Sequence, residues 1–395
     1  MFHKRGIESH GFLAKSKLLL ASFTLVGTIV GAGILGIPYV VSQAGVLYGF
    51  LLILLVGIAF LFLNLFAGEV VLRTKSQHQL TGYAEKYLGP TGKKFMALSM
   101  FINIYGALTA YLLGEGSTWY KLLGFGSPLL YSLIFFAICF VVVYTGVKAT
   151  GRMEFLMISL LIIVVLMIGL FSIGETSTDG FEIFHLSKFF LPYGVILFAL
   201  MGSPAIPEMQ EVLGKRKKLM KTAIIVGSLI PVILYLVFTY VVIGLVGIDN
   251  FTLIGPNERI ATIALSLYSN SLLGVMANLL AVLSMFTSFL TLGLALVEVY
   301  HYDYKIGRMK SLALTFIVPL MIVLLDLTSF ISILSITGVV AGGLDGILII
   351  LMYWKAKLLG ERRPEYVMGK HYVLGTVLIC MFILGIIYQV WSNIL

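Results

Sequence analysis

Charge is scarce in this chain. Asp, Glu, Lys and Arg make up 11% of its 395 residues and apolar residues 59%, where a soluble domain carries about 25% charged residues. No polar stretch is long enough for a separate soluble domain, so the composition is that of a polytopic membrane protein. Cysteine is scarcer still. Cys139 and Cys380 each lie inside an apolar run, which excludes a disulfide framework and a CxxC metal site. The six histidines, His3, His10, His78, His185, His301 and His371, fall outside or at the edge of the apolar runs, with no partner at ligand spacing. No GxxxxGK[ST] string occurs, which argues against ATP-driven transport. No nucleophile with a base supports a membrane enzyme. No charged ring or repeated filter loop supports a channel. A cleavable signal peptide is not expected, because the first apolar run is too long and lacks a small-residue cleavage site.

Apolar windows of about 20 residues are what the chain has instead. Eleven are expected to be helical, over 17–43, 45–72, 92–120, 127–147, 153–174, 189–213, 219–247, 271–300, 309–326, 328–355 and 372–394. The net charge of +9 invites a nucleic-acid reading, and its placement argues against one. The basic residues alternate with the spans. The loops holding Lys4, Arg5, Lys15, Lys17, then Arg73 to Lys94, Lys148 and Arg152, Lys215 to Lys221, Lys305 to Lys310, and Lys355 to Lys370 take all but three of the 27. The exceptions are Lys121, Lys188 and Arg259. The positive-inside rule then puts the N-terminus, with a tail over 1–16, in the cytoplasm and the C-terminus outside.

Two of these windows are interrupted. Residues 27–38 read GTIVGAGILGIP, placing Gly27, Gly31, Gly33, Gly36 and Pro38 where a spanning helix should be most regular. Backbone freed at membrane depth is tolerated where it lines a cavity or is buried in protein. Discontinuous helices are the usual device for holding a small charged solute there. A small-xxx-small packing contact through Gly27 and Gly31 is the other reading. The sixth window carries GSPAIP at 202–207, with Pro204 and Pro207. Two broken helices, five apart and oppositely directed, suggest that helices 1–5 (17–174) and 6–10 (189–355) form an inverted repeat, with helix 11 (372–394) appended.

Four strings then carry a resemblance: LVGTIVGAGILGIPYVVSQAG (25–45), GVILFALMGSPAIPEMQEVL (194–213), SMFTSFLTLGLALVEVYHYD (284–303) and LSITGVVAGGLDGILIILMY (334–353). In that order they resemble helices 1, 6, 8 and 10 of the amino acid/auxin permease family. The match is nearest to the tryptophan/tyrosine permease branch of the amino acid–polyamine–organocation superfamily. The resemblance covers most of the chain. It implies an all-α fold of the LeuT type, with five-plus-five inverted repeats and one extra helix. It also implies a secondary active transporter that imports a neutral amino acid, aromatic ones included, by ion-coupled alternating access. A sensor on a transporter fold, or a transporter of another amine-bearing solute, stays open beside it. No cofactor beyond a coupling ion, Na⁺ or H⁺, is expected. The partners are the substrate and the lipid bilayer; oligomeric state is left open.

A zwitterion needs an anion site beside a cation site. The N–H groups of Gly31, Ala32, Gly33 and Ile34, where the outer half-helix begins, suit a carboxylate. Carbonyls of Phe198, Met201 and Gly202, freed by the prolines, could accept from the ammonium, and the side chains of Phe198, Ser203 and Tyr105 would shape the pocket. For Tyr105 a plain core role is at least as good. By the resemblance, a Na⁺ site would use the carbonyls of Gly27 and Val30 with the hydroxyls of Thr287 and Ser288. Those hydroxyls could equally bond back to their own helix. Helix 5 has no lysine to replace the cation, unlike some proton-coupled relatives. Among acids at membrane depth, Asp345 in GGLDG is the candidate for coupling or gating. Glu115 is expected in the outer vestibule and Glu69 in an i,i+4 pair with Arg73. Glu208 and Glu211 are expected to face the basic loop 215–221.

Overall fold

In the computed structural model, residues 2–145, 151–171, 174, 176–269 and 271–394 are described. Lys148 and the expected helix ends at 146–147 and 172–173 lie outside them, as do the side chains of Lys4, Arg5, Lys15 and Arg152. The described residues are all-helical, without strands. Sixteen α-helices are found: α1 Phe2–Ile29, α2 Gly33–Ala44, α3 Val46–Arg73, α4 Leu80–Leu123, α5 Pro128–Thr145, α6 Gly151–Phe171, α7 Leu191–Leu200, α8 Ala205–Leu213, α9 Met220–Val246, α10 Ile248–Leu253, α11 Ala261–Tyr268, α12 Ser271–Glu298, α13 Arg308–Leu324, α14 Phe330–Thr337, α15 Gly343–Leu359 and α16 Tyr372–Ile394. By length and composition, seven helical runs among the described residues can cross a membrane, or eight if the bent pair Ser16–Ile29 and Gly33–Ala44 is one span.

Helix covers each apolar window, with local departures. The run labelled α4 is two helices meeting at a kink: a short one from Leu80 lies in the expected loop, and the expected span follows it. The register change falls at Gly89 (φ 76°, ψ −170°), followed by Pro90. Glycine supplies the positive φ and proline then restarts the helix. The window 328–355 is not one regular helix. It runs α14, a π-helical turn Gly338–Gly342, then α15. A second π-helical turn, Val299–Asp303, closes α12. Each π turn re-aims the residues after it and loosens the hydrogen-bond ladder locally.

The lateral surface is apolar. Leu47, Leu51, Leu54, Leu55 and Ile58 are exposed on one stripe of α3, and Val373, Val377, Leu384 and Ile387 on α16. This spacing of 3–4 residues marks a helix face turned to lipid. Inside, α1 packs on α9 and α8, α2 on α7 and α9, and α3 on α9, α15 and α7. Helix α4 packs on α5, α12, α15, α14 and α13, and α14 packs on α7. The two interrupted helices thus sit together at the centre. Their contact depends on missing side chains: a Cβ on Gly33 would lie 2.5 Å from the Ala199 Cα.

Candidate functional site

The first break spans residues 30–32, and the halves on either side are bent by 55°. The N–H groups of Gly31 and Ala32 make no backbone hydrogen bond among the described residues. Those of Gly33 and Ile34 open α2, where a helix offers no acceptor of its own. Ala32, at the N-cap position, adds no side-chain cap. Four donors at the positive end of a helix therefore cluster where the chain is bare. Gly31 is half-buried, and Ala32, Gly33 and Ile34 are buried.

The second break spans residues 201–204. Its carbonyls are less free than the prolines suggest. Phe198 O accepts from Met201 N at 3.3 Å, and Gly202 O accepts from Ala205 N at 3.0 Å. A carbonyl has two lone pairs, so each keeps one. Met201 O accepts no backbone bond among the described residues. Ser203 is buried, and its hydroxyl donates to the carboxylate of Asp345. Asp345 lies just past the π turn Gly338–Gly342 and is itself buried. The structure thus joins one expected pocket residue to the expected coupling residue.

Two tyrosines missed in the sequence complete the centre. Tyr235 of α9 is fully buried, and its hydroxyl lies 2.8 Å from Ile29 O and 2.9 Å from Ala199 O. It therefore touches the last turn of α1 and the last turn of α7. Tyr111 of α4 hydrogen-bonds Ser288. A Cβ on Gly31 would meet the Tyr111 hydroxyl at 3.3 Å. In sequence, both tyrosines read as core aromatics in apolar runs, and only contacts across the fold give them a role.

A tryptophan/tyrosine permease family model matches residues 14–389. The chain belongs to this family. Among relatives, it is 27% identical over 387 residues to tyrosine-specific transport system 1 of Haemophilus influenzae, covering 92% of this chain and 94% of that protein. It is 26% identical over 336 residues to glutamine transporter 2 of Aliivibrio fischeri, covering 82% and 85%. It is 23% identical over 422 residues to a low affinity tryptophan permease of Proteus vulgaris, covering 98% of each. A member of the permease family is a multi-pass membrane transport protein, not an enzyme.

Other expected residues of this permease lie elsewhere. Tyr105 does not face the breaks. Its hydroxyl sits 2.7 Å from the Tyr300 hydroxyl and donates to Leu314 O at 3.0 Å, tying α4 to the π turn Val299–Asp303 and to α13. Tyr105 is half-buried there. Thr287 Oγ1 bonds back to Ser284 O at 3.0 Å and Leu283 O at 3.2 Å, and Ser288 meets Tyr111. The main neighbours of α12 are α4, α11, α6, α13 and α5, while α1 packs on α9, α8 and α6. Through Tyr111, Ser288 is linked to Gly31 in the first break, next to Val30. Among the described residues no group of three His, Cys, Asp or Glu could hold a metal ion.

The acids differ in setting. Glu115 is not in an open vestibule: it is buried on α4, with the Trp119 indole one turn away. Glu208 and Glu211 are exposed on α8. Glu69 pairs with Arg73 at 2.8 Å, as the i,i+4 spacing anticipates, and also with Lys357 at 2.6 Å. A small cavity of about 20 Å³, room for one water, lies beside Ile34 and Leu35 against Leu161, Phe238, Thr262 and Ala281.

Proposed function

We propose that this permease imports a neutral amino acid, with a preference for aromatic side chains, across the cell membrane by ion-coupled alternating access. The observation that carries the reading is the meeting of the two helix breaks. The open N-terminus of α2 supplies donors for a carboxylate, and the ends of α1 and α7 supply carbonyls for an ammonium. Backbone groups read the part that all amino acids share. The side chains beside the first break, Ile34, Leu35, Leu161 and Phe238 among them, are mostly apolar. The tyrosine, tryptophan and glutamine relatives support the substrate class.

The architecture proposed is eleven spans in a five-plus-five inverted repeat of the LeuT type, within the wider amino acid–polyamine–organocation superfamily. The N-terminus is cytoplasmic and the C-terminus outside. Cysteines introduced at Gly180 and Asn257 should label from outside, and one at Lys217 should not. External labelling at Lys217 in intact cells would overturn this map.

For coupling, the Ser203–Asp345 bond favours a proton on Asp345. It links an ionisable group directly to the second break, whereas the Thr287 hydroxyl bonds back to its own helix and that of Ser288 meets Tyr111. Purified protein in proteoliposomes is tested with labelled L-tyrosine, L-tryptophan and L-glutamine under separate Na⁺ and H⁺ gradients. Uptake of an aromatic amino acid driven by the proton gradient is expected. Uptake that follows only sodium, and survives Asp345→Asn, returns the coupling role to Gly27, Val30, Thr287 and Ser288. Binding without uptake leaves the protein a sensor.

A further inference from the structure

Helices α1 and α7 approach the centre from opposite sides and both end there. Each presents last-turn carbonyls, the negative end of a helix, at the same point. Tyr235 stands between them. Its ring is carried by α9, its side chain is fully buried, and its hydroxyl is within hydrogen-bond reach of Ile29 O at 2.8 Å and Ala199 O at 2.9 Å. A hydroxyl has one hydrogen to donate. Two buried carbonyls therefore share one donor, and the cluster keeps an unmet demand for a further N–H or O–H.

The counts then match one ligand group. A primary ammonium carries three N–H donors and no acceptor. Ile29 O, Ala199 O and the lone pairs of Tyr235 Oη are three acceptors converging from three helices. The Tyr235 proton can stay on the second lone pair of either carbonyl. Nothing in this cluster is a carboxylate, so recognition rests on neutral oxygens and helix ends. The carboxylate donors Gly31 to Ile34 begin two residues after Ile29.

We propose that Tyr235 is a positioning and specificity-determining residue for the substrate amine, holding the ends of α1 and α7 at the spacing an ammonium bridges and contributing the third acceptor. This rests on the reading of the protein as an amino-acid transporter. A tyrosine that only staples two helices would affect stability alone. A tyrosine that touches the amine affects which amines are accepted.

The test crosses a protein variant with a ligand variant. Labelled L-tyrosine uptake is measured in proteoliposomes of wild type and Tyr235→Phe, with three unlabelled competitors: L-tyrosine, N-methyl-L-tyrosine and 3-(4-hydroxyphenyl)propionate, which lacks the amine. In wild type, the desamino compound should compete poorly and N-methylation should weaken competition. In Tyr235→Phe, KM should rise about 10-fold or more, the loss expected for one hydrogen bond to a charged group. kcat should change far less. The preference for the amine over the desamino compound should fall by a similar factor, and the penalty for N-methylation should shrink, a coupling that a remote structural effect does not produce.

Should Tyr235→Phe fail to fold, 3,5-difluorotyrosine at position 235 keeps the shape and alters the hydroxyl alone. The N-methylation penalty should then differ from wild type by threefold or more, and an unchanged penalty overturns the inference. Transport by wild type, with KM and amine preference both retained in Tyr235→Phe, overturns this inference and leaves the transport reading intact. No uptake of any amino acid by wild type overturns both.

Discussion

Glu69 and Asp345 are both buried carboxyl groups facing α15 or carried by it, and they are held in opposite ways. Glu69 has three donors. Arg73 Nε and Lys357 Nζ reach Oε1 at 2.8 and 2.6 Å, and the Met368 N–H reaches Oε2 at 2.6 Å. Lys357 in turn donates to Met368 O at 2.6 Å and lies 4.7 Å over the Tyr353 ring. The connection between α15 and α16 is fastened around this acid. Tyr366 donates to Leu65 O at 2.6 Å, Arg362 to Leu72 O at 2.8 Å, and the N–H groups of Glu361 and Arg362 to Arg73 O. Asp345 has the Ser203 hydroxyl and no ion pair among the described residues. Twelve residues of α15 separate it from Lys357, about 18 Å along a helix.

The difference is one of determination. Glu69 is fixed by several groups from α3, α15 and the connection, so its surroundings act as one clamp at the basic-rich end of the molecule. Asp345 hangs on a single bond to a residue in a helix break, next to a π turn. Both of those elements rearrange readily. One end of α15 is therefore fastened by several groups, and the other meets the second break through one hydrogen bond.

The largest effect on stability is expected at the clamp. Glu69→Gln leaves Lys357 and Arg73 largely buried and unpaired, and breaking such a pair costs about 3 kcal/mol or more. The midpoint of thermal unfolding in detergent, followed by size exclusion, should fall by several degrees. A fall no greater than that of Asp345→Asn would erase the contrast between the two acids. A somewhat smaller loss is expected at Gly33→Ala. The added methyl would sit 2.5 Å from the Ala199 backbone, and overpacking of this kind costs about 1–3 kcal/mol. Gly31→Ala meets only the end of the Tyr111 side chain, at 3.3 Å. It should fold normally and report on substrate binding without that confusion.

Much of this contrast was hidden in the sequence, for identifiable reasons. Apolar windows and glycine–proline interruptions are local signals, so the helices and both breaks were legible at 27–38 and 202–207. The Glu69–Arg73 pair was legible too, because i,i+4 spacing fixes neighbours on one helix. Lys357 lies 288 residues from Glu69, and no local rule connects them. Tyr235, Tyr111 and Tyr105 look alike in sequence, each a hydroxyl-bearing ring in an apolar run. The fold sends the first to the two helix ends, the second to Gly31 and Ser288, and the third away to Tyr300 and Leu314. Hydroxyls on α12 illustrate the same limit, since Thr287 satisfies itself on its own helix.

Asp345→Asn sharpens the comparison from the other side. An asparagine carbonyl still accepts from Ser203, so stability should change by less than about 1 kcal/mol. Function should change far more. Accumulation of L-tyrosine against its gradient should disappear under an imposed proton gradient, while exchange of internal for external substrate persists. Accumulation undiminished in Asp345→Asn would show that the single bond to Ser203 is structural only.

The smallest effect belongs to the exposed rim of the clamp. Glu361 accepts from Lys86 Nζ at 2.6 Å and from the Lys75 N–H at 2.9 Å. The Lys86 hydrogen bond, then that of Lys75, holds its carboxyl below the usual glutamate range. A carboxyl with a lowered folded pKa stabilises the fold at pH above its unfolded value, and loses that contribution as pH falls through the folded value. The pair is open to water and screened by salt, so its contribution is small. Glu361→Gln should therefore lower the unfolding midpoint slightly near pH 7 and less in high salt. Wild type and variant should converge on acidification, as the wild-type carboxyl takes up its proton. A gap that widens toward acid pH would mean that the connection between α15 and α16 is held at this rim by something other than the Lys86 and Lys75 contacts.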